Sequence, residues 1–445
     1  MKIKVNDIIE AEVIKLSFGF EAIARHQNMV IFINGAVPGD ILKVRITEVK
    51  KRFLRADIAE IIKPSLKRRK PPCRYFDNCG GCHLQNIKED AQLEFKYVVF
   101  QDVLRQINKM QKTQILPVLK TDFVNYRNKV QWVNSSSGMG LYAINSHNVI
   151  DIDNCLIQKE INNKLLNVVR RFAAEKGWQP FDPLNKTGSL RYVVSRSDHR
   201  EREVLLTLVS ASKELPYLDE FTRVLQDKIP EIKGVNISVN TSSSNIVMSN
   251  KTDNLWGRDF INEKISDIKY KISSDSFFQV NIKGFEKILK IIKNEAGSVK
   301  TIVDAYCGTG AISLQLSSNA DIIYGFEENS KAINDAKENA KNNNIKNIKF
   351  FNLKVSNGLD FIHKSRIKTG LLILDPPRAG CEKEVVEKIK IMKPNKIIYV
   401  SCNPSTLARD LQELIQFGYK IKYIQPVDMF PQTYHIESVT VVSSS

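Results

Sequence analysis

Apolar and polar positions alternate in short runs over residues 1–62. The runs 13–16, 21–24, 29–33, 41–46 and 56–62 have strand periodicity, and Gly, Pro, Asp and Lys residues separate them. Five such strands predict a small OB-like barrel, a common platform for nucleic acid. Pro71-Pro72 then marks a boundary. Between about 90 and 265, helix-period segments at 91–107, 160–175 and 216–226 alternate with strand-like runs at 190–195, 204–210 and 234–239. This predicts a mixed central domain. From 266 onward the alternation becomes regular. Strands are expected at 301–304, 322–326, 348–352, 371–375, 396–401, 421–427 and 438–443, with helical stretches such as 311–316 and 330–343 between most of them. That order predicts a doubly wound, largely parallel α/β sheet. The expected domains are 1–62, 63–265 and 266–445, with a helix near 90–110 packing on the C-terminal one.

Charge adds a partner to this picture. The chain of 445 residues carries a formal charge of +17, and residues 1–72 alone hold 15 basic against 8 acidic side chains, a net +7. That excess sits on the expected barrel and on its tail, Lys63-Pro64-Ser65-Leu66-Lys67-Arg68-Arg69-Lys70. It predicts a polyanion as partner, with the tail following a phosphate backbone. With 42% hydrophobic and 26% charged residues, the composition is that of a folded globular chain rather than a disordered one. No apolar run approaches the ~18 residues of a membrane span, and residues 1–10 lack the apolar core of a signal peptide. A cytoplasmic protein without a membrane partner is expected.

The chemistry is concentrated at the predicted strand ends. Asp304-Ala305-Tyr306-Cys307-Gly308-Thr309-Gly310 follows the first strand of the C-terminal sheet. Ligands of such sheets bind there, and glycines let the backbone come close to them. The D-x-x-x-G-x-G pattern is neither a dinucleotide fingerprint nor a phosphate loop. Glu327 ends the next strand, where a carboxylate can accept both hydroxyls of a ribose. The pair points to S-adenosylmethionine. Further on, Asp375-Pro376-Pro377-Arg378 closes a strand with a rigid wall poor in donors. Methyltransferases acting on exocyclic amines typically place an aromatic after the two prolines, so Arg378 points to a different chemistry.

Cys402, in Ser401-Cys402-Asn403-Pro404, precedes a predicted helix whose N-terminus is expected to favour the thiolate. Methylation of uracil at C5 needs such a group. Addition of a thiolate at C6 turns the ring into an enolate whose C5 attacks an electrophilic methyl. A base must then remove the C5 proton before the thiolate leaves. Glu437, leading into the last strand, is the candidate base; His435 faces the same side of an extended segment and is its rival. A separate group, Cys73, Cys79 and Cys82 around Gly80-Gly81, has a fourth cysteine downstream at Cys155. Four thiolates suit zinc or an iron–sulfur cluster. The three-plus-one spacing leans toward the cluster and leaves zinc open.

Taken together, these motifs resemble the RNA uracil-5 methyltransferase family over essentially the whole chain. The likeness is strongest to its 23S ribosomal RNA branch, which carries an N-terminal TRAM domain and a 4Fe-4S cluster. The resemblance implies that Cys402 is the nucleophile and Glu437 the terminal base. It implies cofactor-site roles for Gln279, in Ser276-Phe277-Phe278-Gln279-Val280-Asn281, and for Tyr306, Glu327 and Asp375. It makes Cys73, Cys79, Cys82 and Cys155 the ligands of an iron–sulfur cluster that stands outside the methyl-transfer chemistry. Gly188-Ser189-Leu190-Arg191-Tyr192 resembles the family's central-domain signature, whereas Cys307 and Cys381 match no assigned role. The amide of Gln279 offers a donor and an acceptor to bridge cofactor and uracil, and the target base is expected to leave its stack to reach Cys402. The implied partner is 23S ribosomal RNA, bound by a monomer, with no DNA. Two alternatives stand beside it. One is the T-loop uridine of transfer RNA, disfavoured because the common bacterial enzymes of that kind lack both the barrel and the cysteines. The other is a noncatalytic iron–sulfur RNA-binding protein, opposed by the intact Asp375, Cys402 and Glu437.

Overall fold

Period-two alternation at the N-terminus folds as a closed barrel. The computed structural model describes residues 3–106, 110–182, 184–243, 246–249 and 251–444. Strands β1 (Ile8–Leu16), β2 (Ala22–His26), β3 (Met29–Ile33), β4 (Ile41–Val49) and β5 (Phe53–Lys63) close in the order β1-β2-β3-β5-β4. Leu42, Val44 and Ile46 point into the barrel and are fully buried, while Lys43, Arg45 and Thr47 between them face water. Helix α1 (Glu89–Arg105) then joins two bodies: Ala91, Phe95 and Val99 enter the barrel core, and Phe100 and Leu104 enter a core of the C-terminal domain. Residues 107–109, where the predicted helix was to end, lie outside the described residues.

The basic tail between barrel and α1 differs from its expected role. Arg68 reaches Asp40, which is fully buried, through Nε at 3.1 Å and Nη2 at 2.5 Å. Arg69 donates to the Gln85 carbonyl at 3.0 Å and to Glu89 at 3.3 Å. Lys67 pairs with Glu94 at 2.6 Å and lies over the Phe95 ring. A carboxylate buried in the barrel demands a cation, so Lys67, Arg68 and Arg69 strap the barrel to α1, while Lys63 and Lys70 of the same tail stay exposed.

The central domain is a seven-stranded sheet. Its strands are β6 (Lys129–Ser135), β7 (Gly138–Tyr142), β8 (Val149–Asp151), β9 (Leu190–Ser197), β10 (Val204–Ser210), β11 (Ile232–Val239) and β12 (Thr252–Gly257). They lie in the order β12-β11-β10-β9-β6-β7-β8, antiparallel except for β10 with β11. Helices α2 (Glu160–Lys176) and α3 (Leu218–Lys228) cover the face that presents Val193, Leu206 and Leu208. Sequence patterning had marked only three of these strands. A hairpin, β13 (Phe260–Ile265) and β14 (Ile268–Ser273), spans the expected boundary at 265.

The C-terminal sheet follows after α4 (Ile282–Ala296). Its strands are β15 (Val299–Ala305), β16 (Ala320–Glu327), β17 (Ile348–Asn352), β18 (Leu371–Leu374), β19 (Lys396–Ser401), β20 (Tyr419–Val427) and β21 (Glu437–Ser444). The order is β17-β16-β15-β18-β19-β21-β20, and β21 alone runs antiparallel to its neighbours. Successive residues go to opposite cores: Leu371 and Ile373 to one, Leu372 and Leu374 to the other. The first core takes α4, α5 (Ala311–Gln315) and α6 (Ser330–Asn342); the second takes α7 (Val355–Lys364), α8 (Lys383–Met392) and α9 (Pro404–Gln416). Both faces of the sheet are thus covered, as continuous apolar strands require. Strand order reverses beside β15, and that reversal opens a crevice at the carboxyl ends of the parallel strands. No helix among the described residues is long and apolar enough to cross a membrane.

Candidate active site

A cleft of about 710 Å³ occupies that crevice, and Gln279, Tyr306, Glu327, Asp375, Cys402 and Glu437 all line it. After β15 the chain turns sharply, with Tyr306, Gly308 and Gly310 at φ of 68°, 54° and 78°. At Gly310 a Cβ would stand 2.8 Å from the Phe350 ring, so the turn needs glycine there for space as well as for its dihedral. Glu327 clasps this turn: its two carboxylate oxygens accept from Gly308 N at 3.2 Å and Asn329 N at 2.8 Å. Asp304 is buried beneath the turn and accepts from Ser313 Oγ at 2.5 Å, while its Oδ1 has no partner. Burial pushes its carboxyl up to about 7.

The residues expected to react stand at the next strand ends. Asp375 follows β18, half-buried, and is raised to about 7 by burial and then by the charge of Asp304. Cys402 follows β19, just ahead of the Asn403 cap of α9, whose side chain accepts from Ser405 N at 3.0 Å. Asn403 Nδ2 and Thr406 Oγ1 both donate to the Arg378 carbonyl at 3.2 Å, which ties the Pro376-Pro377-Arg378 wall to the cysteine loop. Glu437 begins β21. Because Ser438 pairs with Ser401 across the antiparallel ladder, Glu437 arrives beside Cys402.

Electrostatics here correct one sequence expectation. The thiol of Cys402 is not lowered by the helix N-terminus; it is pushed up to about 11 by burial and then by Glu437 and Asp375, with Arg378 acting in the opposite sense. Burial, with two neighbouring carboxylates, outweighs a half-charge at a helix end. Burial also raises Glu437 to about 8, with Asp375 adding to it and Arg378 opposing. His435, the rival base, also lines the cleft, but burial and the nearby Arg378 push it down to about 4. Its Nδ1 lies 3.2 Å from Arg378 Nη2. The same cleft thus shifts the two candidates in opposite directions, Glu437 up and His435 down.

Sequence reasoning missed several lining residues, among them one from another domain and one from a loop. Arg127 comes from the central domain, ahead of β6, and Phe430 from the loop before β21. No local motif marks either one; only the packing of domains brings them in. Phe277, in the segment noted for Gln279, is 73% exposed at the same cleft.

Cys73, Cys79, Cys82 and Cys155 line a second, smaller cavity together with Tyr75, Leu141 and Ile152, and it shares no residue with the cleft. Burial raises the thiols of Cys79, Cys82 and Cys155, the latter two to about 12 and about 11. Among the described residues, only Asp198, His199 and Glu263 bring three ligand atoms of the His, Cys, Asp and Glu types within 4.8 Å of one another. The four sulfurs are therefore spread wider. In that other trio the Asp198 carboxylate caps a turn, accepting from Arg202 N at 2.7 Å and Glu203 N at 2.8 Å, and His199 Nδ1 meets Glu263 at 2.5 Å.

The chain is similar along its whole length to known proteins. Residues 203–444 match the model of the tRNA (Uracil-5-)-methyltransferase family, and residues 2–59 match the TRAM domain. A protein of Caldanaerobacter subterraneus named an uncharacterized RNA methyltransferase is 36% identical, with 99% of each chain covered. Another of the same name from Halalkalibacterium halodurans is 37% identical over 98% of this chain and 97% of its own. Among solved structures, the Pyrococcus abyssi tRNA (uracil-54, C5)-methyltransferase in complex with S-adenosyl-L-homocysteine has a TM-score of 0.76 and 27% identity, covering 97% of this chain and 99% of its own. With the barrel, the doubly wound sheet and the cleft at its switch point, these likenesses make the chain a member of the RNA (uracil-5-)-methyltransferase family with an N-terminal TRAM domain.

Proposed function

We propose that the protein methylates C5 of a uridine in 23S ribosomal RNA, with Cys402 as nucleophile and Glu437 as base, and that it carries a 4Fe-4S cluster on Cys73, Cys79, Cys82 and Cys155. The observation that carries the reading is the meeting of Cys402 and Glu437 across one ladder, in the cleft that also holds Glu327 and Asp375. The cleft suits S-adenosylmethionine. It is lined by Asp304, Glu327, Asp375 and Glu437, and an acceptor of Asp304 stands buried and unpartnered, surroundings fitted to a cation. Bound there, the cofactor supplies a methyl group as an electrophile together with a positive charge. Glu327 would hold its ribose, with Tyr306, Asp375 and Gln279 around the remainder.

The chain's own groups do the rest. Cys402 gives up its proton to water and its sulfur bonds to C6 of the uracil, while the ring's C5–C6 electron pair moves onto the enolate. Arg378, which opposes the rise of Cys402 and Glu437, favours their charged forms. Once C5 bears the methyl, Glu437 takes the C5 proton, the double bond re-forms, and the C6–sulfur bond breaks to release the thiolate. A carboxyl near about 8 is a strong base once ionised, and the charge of Arg378 favours the ionised form.

Four cysteines converging on one cavity support the cluster. The same four thiolates would also suit a zinc ion; the three-plus-one spacing of the cysteines along the chain favours the cluster. The protein would act as a monomer in the cytoplasm. One observation favours transfer RNA as the substrate instead: the Pyrococcus abyssi relative, whose name specifies uracil-54 of tRNA, matches 97% of this chain.

The test combines mapping with trapping. Loss of 5-methyluridine from 23S ribosomal RNA in a deletion strain supports the ribosomal target, and loss from transfer RNA alone overturns it. With 5-fluorouridine RNA, whose C5 fluorine cannot leave as a proton does, the wild type should form a stable adduct and Cys402→Ala none. Turnover retained in Cys402→Ala would sink the mechanism.

A further inference from the structure

One costly buried group has no part in the methyl-transfer chemistry. Lys96, on α1, has a side chain 0% exposed, a condition a lysine tolerates only when fully partnered. Its Nζ donates to Asp428 Oδ1 at 2.6 Å, to the Phe430 carbonyl at 3.1 Å and to the His435 carbonyl at 2.9 Å. An ammonium has three protons, and all three go to one loop, 428–435, which ends two residues before Glu437. Both Phe430 and His435 line the cleft.

A second clamp grips the same loop at Gln432, whose backbone is left-handed at φ 69°. Its carbonyl accepts from His83 N at 2.8 Å and Leu84 N at 3.0 Å. Gln92, one turn ahead of Lys96 on α1, donates to Gln432 Oε1 at 3.0 Å and accepts from Gln432 N at 3.2 Å. Cys402 is held by other means, through β19 and the Asn403 cap. Burying an ion pair usually gains little stability over apolar side chains of the same volume. What this pair does accomplish is placement.

We propose that Lys96 is a positioning residue for Glu437. Its ammonium sets the loop, and through it the carboxyl that takes the C5 proton, while leaving the nucleophile alone. This rests on the reading of Glu437 as the base. Removing the clamp should therefore slow the second half of the reaction and spare the first.

The test uses Lys96→Met and Lys96→Met/Asp428→Leu, since the double change leaves no lone buried charge to unfold the chain. Wild type, these variants and Glu437→Gln are each mixed with S-adenosylmethionine and transcribed 23S ribosomal RNA or tRNA. A denaturing gel then reads the covalent protein–RNA adduct, and nucleoside analysis reads the released 5-methyluridine. The expected result is adduct formation near the wild-type rate and release slowed by about a hundredfold, the scale of a 1 Å misplacement. The adduct then accumulates as in Glu437→Gln. Release at the wild-type rate overturns the proposal. So does equal loss of adduct and release in a folded variant, which makes Lys96 structural only. If Glu437→Gln itself builds up no adduct, the assignment of the base fails instead. Should neither Lys96 variant fold, Gln92→Met, which loosens the second clamp alone, must accumulate the adduct, or the proposal falls.

Discussion

Replacing Glu437 by Gln should make the protein more stable, and only at high pH. The side chain is 6% exposed, and burial, aided by the charge of Asp375, pushes its carboxyl up to about 8 from an ordinary 4.5. Between those values the native chain holds a proton that the unfolded chain has released, so stability falls as pH rises. The contribution is complete below 4.5 and gone once pH passes about 8. At about 1.4 kcal/mol per pH unit, the interval sets a ceiling of about 5 kcal/mol. Electrostatic coupling to Asp375 brings the realised figure nearer 2–3 kcal/mol, roughly half the ceiling. Glutamine keeps the shape and does not titrate. Glu437→Gln should match the wild type near pH 5 and exceed it above pH 8, by about 5–10 °C in the Tm of a domain this size. Thermal melts from pH 5 to 9 give the difference curve directly. Parallel curves for the two proteins would refute the buried-carboxyl reasoning. A wild type more stable at high pH would show Glu437 paired with a cation instead.

Arg68→Ala should cost about 3 kcal/mol in urea unfolding, because it leaves Asp40 buried without its cation. The salt slope of RNA binding should barely move; a slope reduced by about one, with stability intact, would return Arg68 to phosphate contact. Protein purified without oxygen should be brown and carry about four irons, and Cys82→Ser should lose both properties. A colourless protein loaded with zinc would contradict the cluster.

The C-terminal half was legible because strands buried on both faces read as short apolar runs between helical ones. Predicted strands at 348–352 and 396–401 match β17 and β19 to the residue. In the central domain β6 to β8 escaped notice, since Gly138 and Gly140 and a three-residue strand at Val149–Asp151 leave little periodicity to see. The candidates Tyr306, Glu327, Asp375, Cys402 and Glu437 were legible through their positions at strand ends, which topology gathers into one crevice. Two readings failed for a shared reason. The basic tail resembled a phosphate-tracking arm because Asp40 and Glu94, which neutralise Arg68 and Lys67, lie elsewhere in the chain. Cys402 resembled a low-pKa thiol because Glu437 reaches it only through the reversed strand β21. Local pattern shows what a residue offers, and tertiary structure decides what it meets.

The pairing of α1 with the loop before β21 also bears on how the chain reaches its native state. Lys96 and Asp428 stand 332 residues apart in sequence, and Gln92 and Gln432 stand 340 apart. Contacts of that span require closure of nearly the whole chain and form late on topological grounds. The barrel and the parallel strands can form from nearer neighbours, whereas Glu437, the proposed base, would be set in place only when the first helix captures the last loop. On the reading of Glu437 as the base, release of the methylated RNA is thereby reserved for chains that have completed folding, and a partly folded chain can present its cysteine before it has the means to let go of what that cysteine holds.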